Sequence, residues 1–90
     1  MSGQPAPLRL TIKWSDAAKD QLRAIDQKTA LQILHCVSRY LAYREGDVKK
    51  LKPPLRDLRL RCGDYRIFFE PAGDDGIDVS AVRHRREAYR

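Results

Sequence analysis

Ninety residues allow one domain with a modest core and leave no room for a second. Hydrophobic residues at 42% and charged residues at 33% exclude a compositionally disordered chain. A net charge of +6, from 18 Lys and Arg against 12 Asp and Glu, suits a polyanionic partner such as RNA, DNA, an acidic protein or an anionic membrane surface; it equally suits plain solubility until the charges are placed on a face.

Residues 1–7, rich in Pro, Gly and Ser, read as a loose leader ahead of a single domain over 8–90. The opening MSGQPAPL lacks the apolar centre of a secretory signal, and no run approaches the roughly 18 apolar residues of a membrane span, so a cytoplasmic protein with no membrane partner is expected. LRLTIKW (8–14) alternates Leu8, Leu10, Ile12 and Trp14 against polar residues, the period of a half-buried strand.

Ser15 is placed to cap a short helix running to about Ile25, with Ala18, Leu22 and Ile25 inward and Asp16 in its first turn. Asp26 then caps a longer helix to about Tyr43, whose inner stripe is Ala30, Ile33, Leu34, Val37, Tyr40 and Leu41. Cys36 lies one position off that stripe and reads as a packing residue, while His35 is on its solvent or interface flank. Cys36 and Cys62 have no C-x-x-C partner and no His at a zinc spacing, so neither metal nor redox chemistry is indicated and two free thiols are expected.

REGDVKKLKPP (44–54) is broken by Gly46 and closed by Pro53-Pro54, which predicts a loop presenting Lys49, Lys50 and Lys52, either solvated or facing a polyanion. The remainder is β, at about 55–62, 65–71 and 77–83, and HRREAYR permits one closing helical turn. The predicted fold class is α+β, in the order β-α-α-β-β-β, with a helical hairpin on one face of a curved antiparallel sheet.

LRLRCGDYRIFFE (58–70) carries the functional signal. With Gly63-Asp64 as a two-residue turn, Cys62 faces Tyr65, Arg61 faces Arg66, Leu60 faces Ile67 and Arg59 faces Phe68. Alternation puts Leu58, Leu60, Cys62, Tyr65, Ile67 and Phe69 on a core face and Arg59, Arg61, Arg66 and Phe68 on the other. Like charges directly opposite one another destabilise a sheet. Either Asp57, Glu70 and solvent screening make the pairing tolerable, or an anion sits over it. Guanidinium offers phosphate planar, bidentate hydrogen bonds, and Phe68 gives a base a surface on which to stack.

The last strand adds Ile77, Val79 and Ala81 to the core and leads to Arg83, His84, Arg85 and Arg86, which are expected to converge on the hairpin's basic end. His84 reads either as a structural hydrogen-bonding group or as a proton-transfer group near neutral pH. Tyr89 reads either as a core anchor for the tail or as a chemical participant.

These segments, IKWSDAAKDQL, DQKTALQIL, DVKKLKPPL, LRLRCGDYRIFFE and VRHRREAY, resemble the RelE/ParE superfamily of small bacterial toxins, and most closely its RelE branch, over about residues 8–90. The resemblance implies the same helical hairpin on a sheet. It implies a type II toxin that cuts mRNA in the A site of the ribosome's 30S subunit without a metal or other cofactor, silenced by a cognate antitoxin through which alone it meets DNA as a toxin–antitoxin hetero-oligomer. In such toxins the message's 2′-hydroxyl attacks the adjacent phosphate, so a proton must leave, negative charge must be stabilised and the 5′-oxygen must be assisted.

Carried onto this chain, the resemblance implies Arg66 and Arg85 at the phosphate, Arg59 and Arg61 at the substrate backbone, Tyr89 in stacking or proton transfer, and His84 as general base. It implies Lys49, Lys50, Lys52 and Phe68 in RNA binding. Where lysine-dependent relatives carry two basic residues on the strand before the GDY turn, this chain has Asp57 and Arg59. A ParE-like gyrase inhibitor, and a weakly active partner in operon autoregulation, share the fold and are the rival readings.

Overall fold

The computed structural model describes residues 11–52, 57–73 and 76–88. Its elements run β1 (Thr11–Trp14), α1 (Asp16–Arg23), α2 (Gln27–Tyr43), β2 (Asp47–Lys50), β3 (Leu58–Cys62), β4 (Tyr65–Ala72), β5 (Gly76–His84) and the short α3 (Arg85–Ala88). The fold is α+β, with helices packed on a largely antiparallel sheet. The leader at 1–7, residues 8–10 of the expected first strand, Pro53-Pro54 and Tyr89 lie outside the described residues.

Both helices start at the expected caps. The Ser15 side chain accepts from the Ala18 N–H at 3.0 Å, and the Asp26 carboxylate accepts from the Thr29 N–H at 3.0 Å, each satisfying an otherwise orphaned first-turn donor. Ser15 also ties its helix to the sheet: its N–H donates to the Val79 carbonyl at 2.9 Å and its hydroxyl to the Ser80 carbonyl at 2.9 Å. Gln21 of α1 accepts from the Val82 N–H at 2.7 Å. α2 ends where Arg44 turns left-handed, with φ of 57°.

One core forms between the helices and one face of the sheet. Ala18, Ile33, Val37 and Leu41 from the helices meet Leu60, Ile67, Phe69, Ile77, Val79 and Val82 from the strands. Phe69 is fully buried, its ring 5.3 Å from that of Tyr40. Each such side chain contributes on the order of 1.5–3 kcal/mol when withdrawn from water. Among the described residues no helix is long and apolar enough to cross a membrane.

The sheet order is β1-β5-β4-β3-β2. The hairpin register is as expected, with Arg61 opposite Arg66 and Arg59 opposite Phe68. Three expectations are corrected. β1 joins the sheet parallel to β5, so the sheet is mixed, because alternation along a strand reveals its faces and not its direction. Gly76 admits that neighbour: a Cβ there would lie 2.8 Å from the Thr11 carbonyl oxygen and 3.0 Å from that of Ala72.

Residues 47–50 are not loop but an edge strand antiparallel to β3. Its single apolar residue, Val48, packs against the core while charged neighbours occupy the edge, a composition that suits unpaired strands and hides them from pattern reading. The two cysteines are not free. Cys36 of α2 and Cys62 of β3 are joined as a disulfide, with Cα atoms 6.1 Å apart. Cys36 lies one position from the buried stripe, and that position faces the end of β3.

Candidate nucleic-acid interface

The face of the sheet away from the helices is built by register. Asp47, Arg61, Arg66 and Arg83 form one row across β2, β3, β4 and β5; Lys49, Arg59, Phe68 and Ala81 form a second beside it. Three arginines thus stand side by side on adjacent strands. Asp47, Lys49, Arg59, Arg61 and Arg66 line a small hollow of about 50 Å³, four cations against one carboxylate.

Arg66 is 5% exposed despite lying on this face. Its Nη1 donates to the carbonyls of Gly63 at 2.9 Å and Tyr65 at 3.0 Å, so the guanidinium is held by the turn that precedes it. Arg61 lies 3.9 Å from Asp47, and both are more than half exposed. A pair so long and so wet is screened and adds little stability. Arg59 and Phe68 are half-buried beside it.

Three further carboxylates of this face collect apart from the arginine row. Asp57, Glu70 and Asp78 share this face but surround a separate hollow of about 470 Å³ with Lys13 and Trp14. Asp57 is also engaged there, accepting from the Ser80 hydroxyl at 3.4 Å. The uncovered face is therefore polarised, basic toward the hairpin turn and acidic toward the β4–β5 turn.

His84 is not in the arginine row. β5 carries an irregularity: Phe68 pairs with Ala81 and Phe69 with Val79, which leaves Ser80 as an extra residue, its hydroxyl donating to the Phe68 carbonyl at 3.2 Å. A bulge inverts the alternation beyond it. Val79 and Val82 consequently both face the core, while Ala81, expected inside, joins the uncovered face with Arg83. His84 pairs with Tyr65 on the helix-covered side, its ring edge-on at 5.3 Å, and its Nδ1 accepts from the Arg86 N–H at 3.2 Å.

The other expected residues divide. Arg85 opens α3, its N–H donating to the Asp64 carbonyl at 2.7 Å, and it is exposed. Lys49 is on the arginine face; Lys50 pairs with Leu58 and so belongs to the opposite side, and Lys52 is exposed beyond β2. Arg83, expected among the converging tail cations but given no role of its own, is the one that the register sets beside Arg66. The signal lay in VSAV (79–82), where two valines three apart cannot both be core residues of a regular strand. His, Cys, Asp and Glu nowhere gather into a group able to hold a metal among the described residues.

The family model described as ParE toxin of type II toxin-antitoxin system, parDE, matches residues 12–89. None of the curated proteins matches the sequence. Among solved structures, the RelB-RelE antitoxin-toxin complex from Methanococcus jannaschii superposes with a TM-score of 0.68 at 23% identity, covering 86% of this chain and 94% of that one. The YoeB dimer from Staphylococcus aureus gives 0.69 at 20% identity, with 84% and 97% covered. The archaeal RelE-RelB complex from Pyrococcus horikoshii gives 0.65 at 18%, with 87% and 97% covered. At these identities the likeness is one of fold: a helical hairpin on the same sheet. With the family match running through nearly the whole sequence, this chain belongs to the ParE toxin family of type II toxin-antitoxin systems, within the RelE/ParE superfamily.

Proposed function

We propose that this toxin acts on RNA as a metal-independent endoribonuclease, cutting message in the ribosomal A site and held silent by a cognate antitoxin that covers the basic face. The observation that carries the reading is the row Arg61, Arg66 and Arg83 on an uncovered sheet face. Like charges on adjacent strands cost folding free energy. A bound phosphodiester turns that cost into charge-assisted hydrogen bonds.

In this reading Arg66 and Arg83 hold the scissile phosphate and stabilise the charge that develops as the 2′-hydroxyl attacks. Arg59 and Arg61 hold the neighbouring backbone, and Phe68 offers a surface for a base. Arginine does not give up its proton near neutrality, so these residues act by holding and stabilising charge, and Lys49, the other cation of the hollow, adds a phosphate contact. The antitoxin segment that closes the site is acidic over the hairpin end, complementary to these cations.

A second reading, inhibition of DNA gyrase by protein contact, is favoured by the name of the matching family and by the distance of His84 from the arginine face in register. One experiment separates the two. Purified toxin is added to a translating extract, with message ends mapped, and in parallel to gyrase with relaxed plasmid. Cuts within codons and unaffected supercoiling support the nuclease. Arrested supercoiling with intact message supports the second reading and removes the first.

A further inference from the structure

We propose that Cys36 and Cys62 form a reversible thiol–disulfide switch that sets the order of the arginine-bearing hairpin. The bridge joins the middle of α2 to the last residue of β3. Cys62 lies between Arg61, on the basic row, and Gly63, whose carbonyl receives the Arg66 guanidinium. A covalent tie at Cys62 therefore fixes the backbone from which two of the three row arginines are held.

The two cysteines differ in degree of access. Both line one hollow with Thr29, Gln32 and Gly63, but Cys62 is 9% exposed, whereas Cys36 is half-buried and also lines a second hollow with His35 and Arg39. Exchange therefore enters at Cys36. The Cys36 thiolate attacks a small disulfide oxidant of the glutathione type and expels one oxidant thiolate; Cys62 then attacks the mixed disulfide at Cys36 and expels the second. Two protein thiol protons are lost, one S–S bond forms in the protein, and the oxidant is left as two thiols. A dithiol reductant runs the sequence backwards.

In the closed form the Cys36 sulfur lies 3.7 Å from the Arg61 carbonyl oxygen, a distance at which a thiol formed there on reduction has an acceptor for its weak S–H donor. Opened, the switch exchanges a covalent tie for that contact, and the hairpin end is left on its ladder and turn. A thiol pair in a reducing compartment spends its time open and closes under oxidative stress.

The consequence for RNA rests on the function proposed above; the effect on the hairpin does not. The test compares the air-oxidised protein, the same protein in dithiothreitol, and the Cys36→Ser/Cys62→Ser variant. Thiol titration, amide hydrogen exchange, thermal melting and binding of a labelled single-stranded uridine 12-mer are read on each. Oxidised protein is expected to show no titratable thiol and to melt about 10 °C higher than reduced protein. Reduction is expected to speed exchange over residues 60–66 about tenfold while β5 is unchanged, and the serine variant is expected to behave as the reduced form with or without dithiothreitol.

The 12-mer is expected to bind about fivefold more weakly to the reduced form. Two titratable thiols after oxidation, or exchange over 60–66 indifferent to reduction, overturn the switch. Equal 12-mer binding in both redox forms overturns its link to the site. If exchange responds but the 12-mer binds neither form, the switch on the hairpin stands and the RNA reading is what has failed.

Discussion

Arg66 and Arg83 are direct partners on β4 and β5, and they share a face only because Ser80 is an extra residue between two valines that both point inward. Were Ser80 paired as in a regular strand, Val82 would stand opposite Arg66 and Arg83 would be turned toward the core. Arg83→Ala is expected to lower message cleavage about 100-fold with no change in melting, the scale for losing one donor to developing charge. His84→Ala and Arg85→Ala are expected to cut normally. Arg66→Ala should lose cleavage and also about 1–2 kcal/mol of stability, because two turn carbonyls lose their donor. Denaturant melts beside mapped message ends check both; a fully active Arg83→Ala would remove the row from the mechanism.

The lysines at 49 and 50 are neighbours in sequence and opposites in the sheet, one across from Arg59 and the other across from Leu58. Only Lys49 reaches the basic hollow. Lys49→Ala is expected to weaken binding to single-stranded RNA and to reduce the slope of log affinity against log salt by about 0.7, one phosphate contact, whereas Lys50→Ala leaves the slope alone. A salt titration of both variants decides it; equal slopes would mean that the two lysines act as an undifferentiated cloud.

Much of this was readable from the residues, and each failure has a physical cause. Ser15 and Asp26 announce the helices because a short oxygen-bearing side chain before an apolar-periodic run has one favourable use. The hairpin follows from Gly63-Asp64 and strict alternation on each side. Alternation fails past Ser80 because a bulge shifts parity without changing composition, so that Ala81 and Arg83 exchange faces with Val82 and His84. It fails for β2 because Asp47, Lys49 and Lys50 are charged for the sake of an exposed edge. The Cys36–Cys62 bridge has no local signature; it depends on how α2 lies over β3, which only tertiary packing decides.

Gly46 sits between α2 and the edge strand with φ of 150°, and a Cβ added there would come within 2.8 Å of Leu60 Cδ1, a fully buried side chain. Gly46→Ala combines a backbone conformation that L-residues rarely adopt with overpacking against the core. A loss of about 1–3 kcal/mol is expected in urea unfolding. The damage is expected to centre on β2, so amide exchange of Val48 should accelerate more than that of Phe69. Unchanged stability would show that Leu60 moves aside at no cost.

The Asp26 carboxyl is held below the usual carboxylate range, chiefly by the hydrogen bond between its side chain and Thr29 at the start of α2. A folded-state pKa below the unfolded one means that the ionised cap stabilises the fold. That contribution is fully present above the ordinary aspartate value near 3.8, and it is lost as pH falls through the lower folded value. Asp26→Ala should therefore melt below the wild type at neutral pH, with the gap narrowing steadily as the medium is acidified past that range. Asp26→Ser retains a capping oxygen without a titrating charge and should show a gap from Asp26→Ala that does not depend on pH at this site. Thermal melts of the three proteins across acid and neutral buffers give the comparison; a wild-type advantage over Asp26→Ala that persists undiminished at the lowest pH would mean that the neutral acid caps α2 as well as its anion.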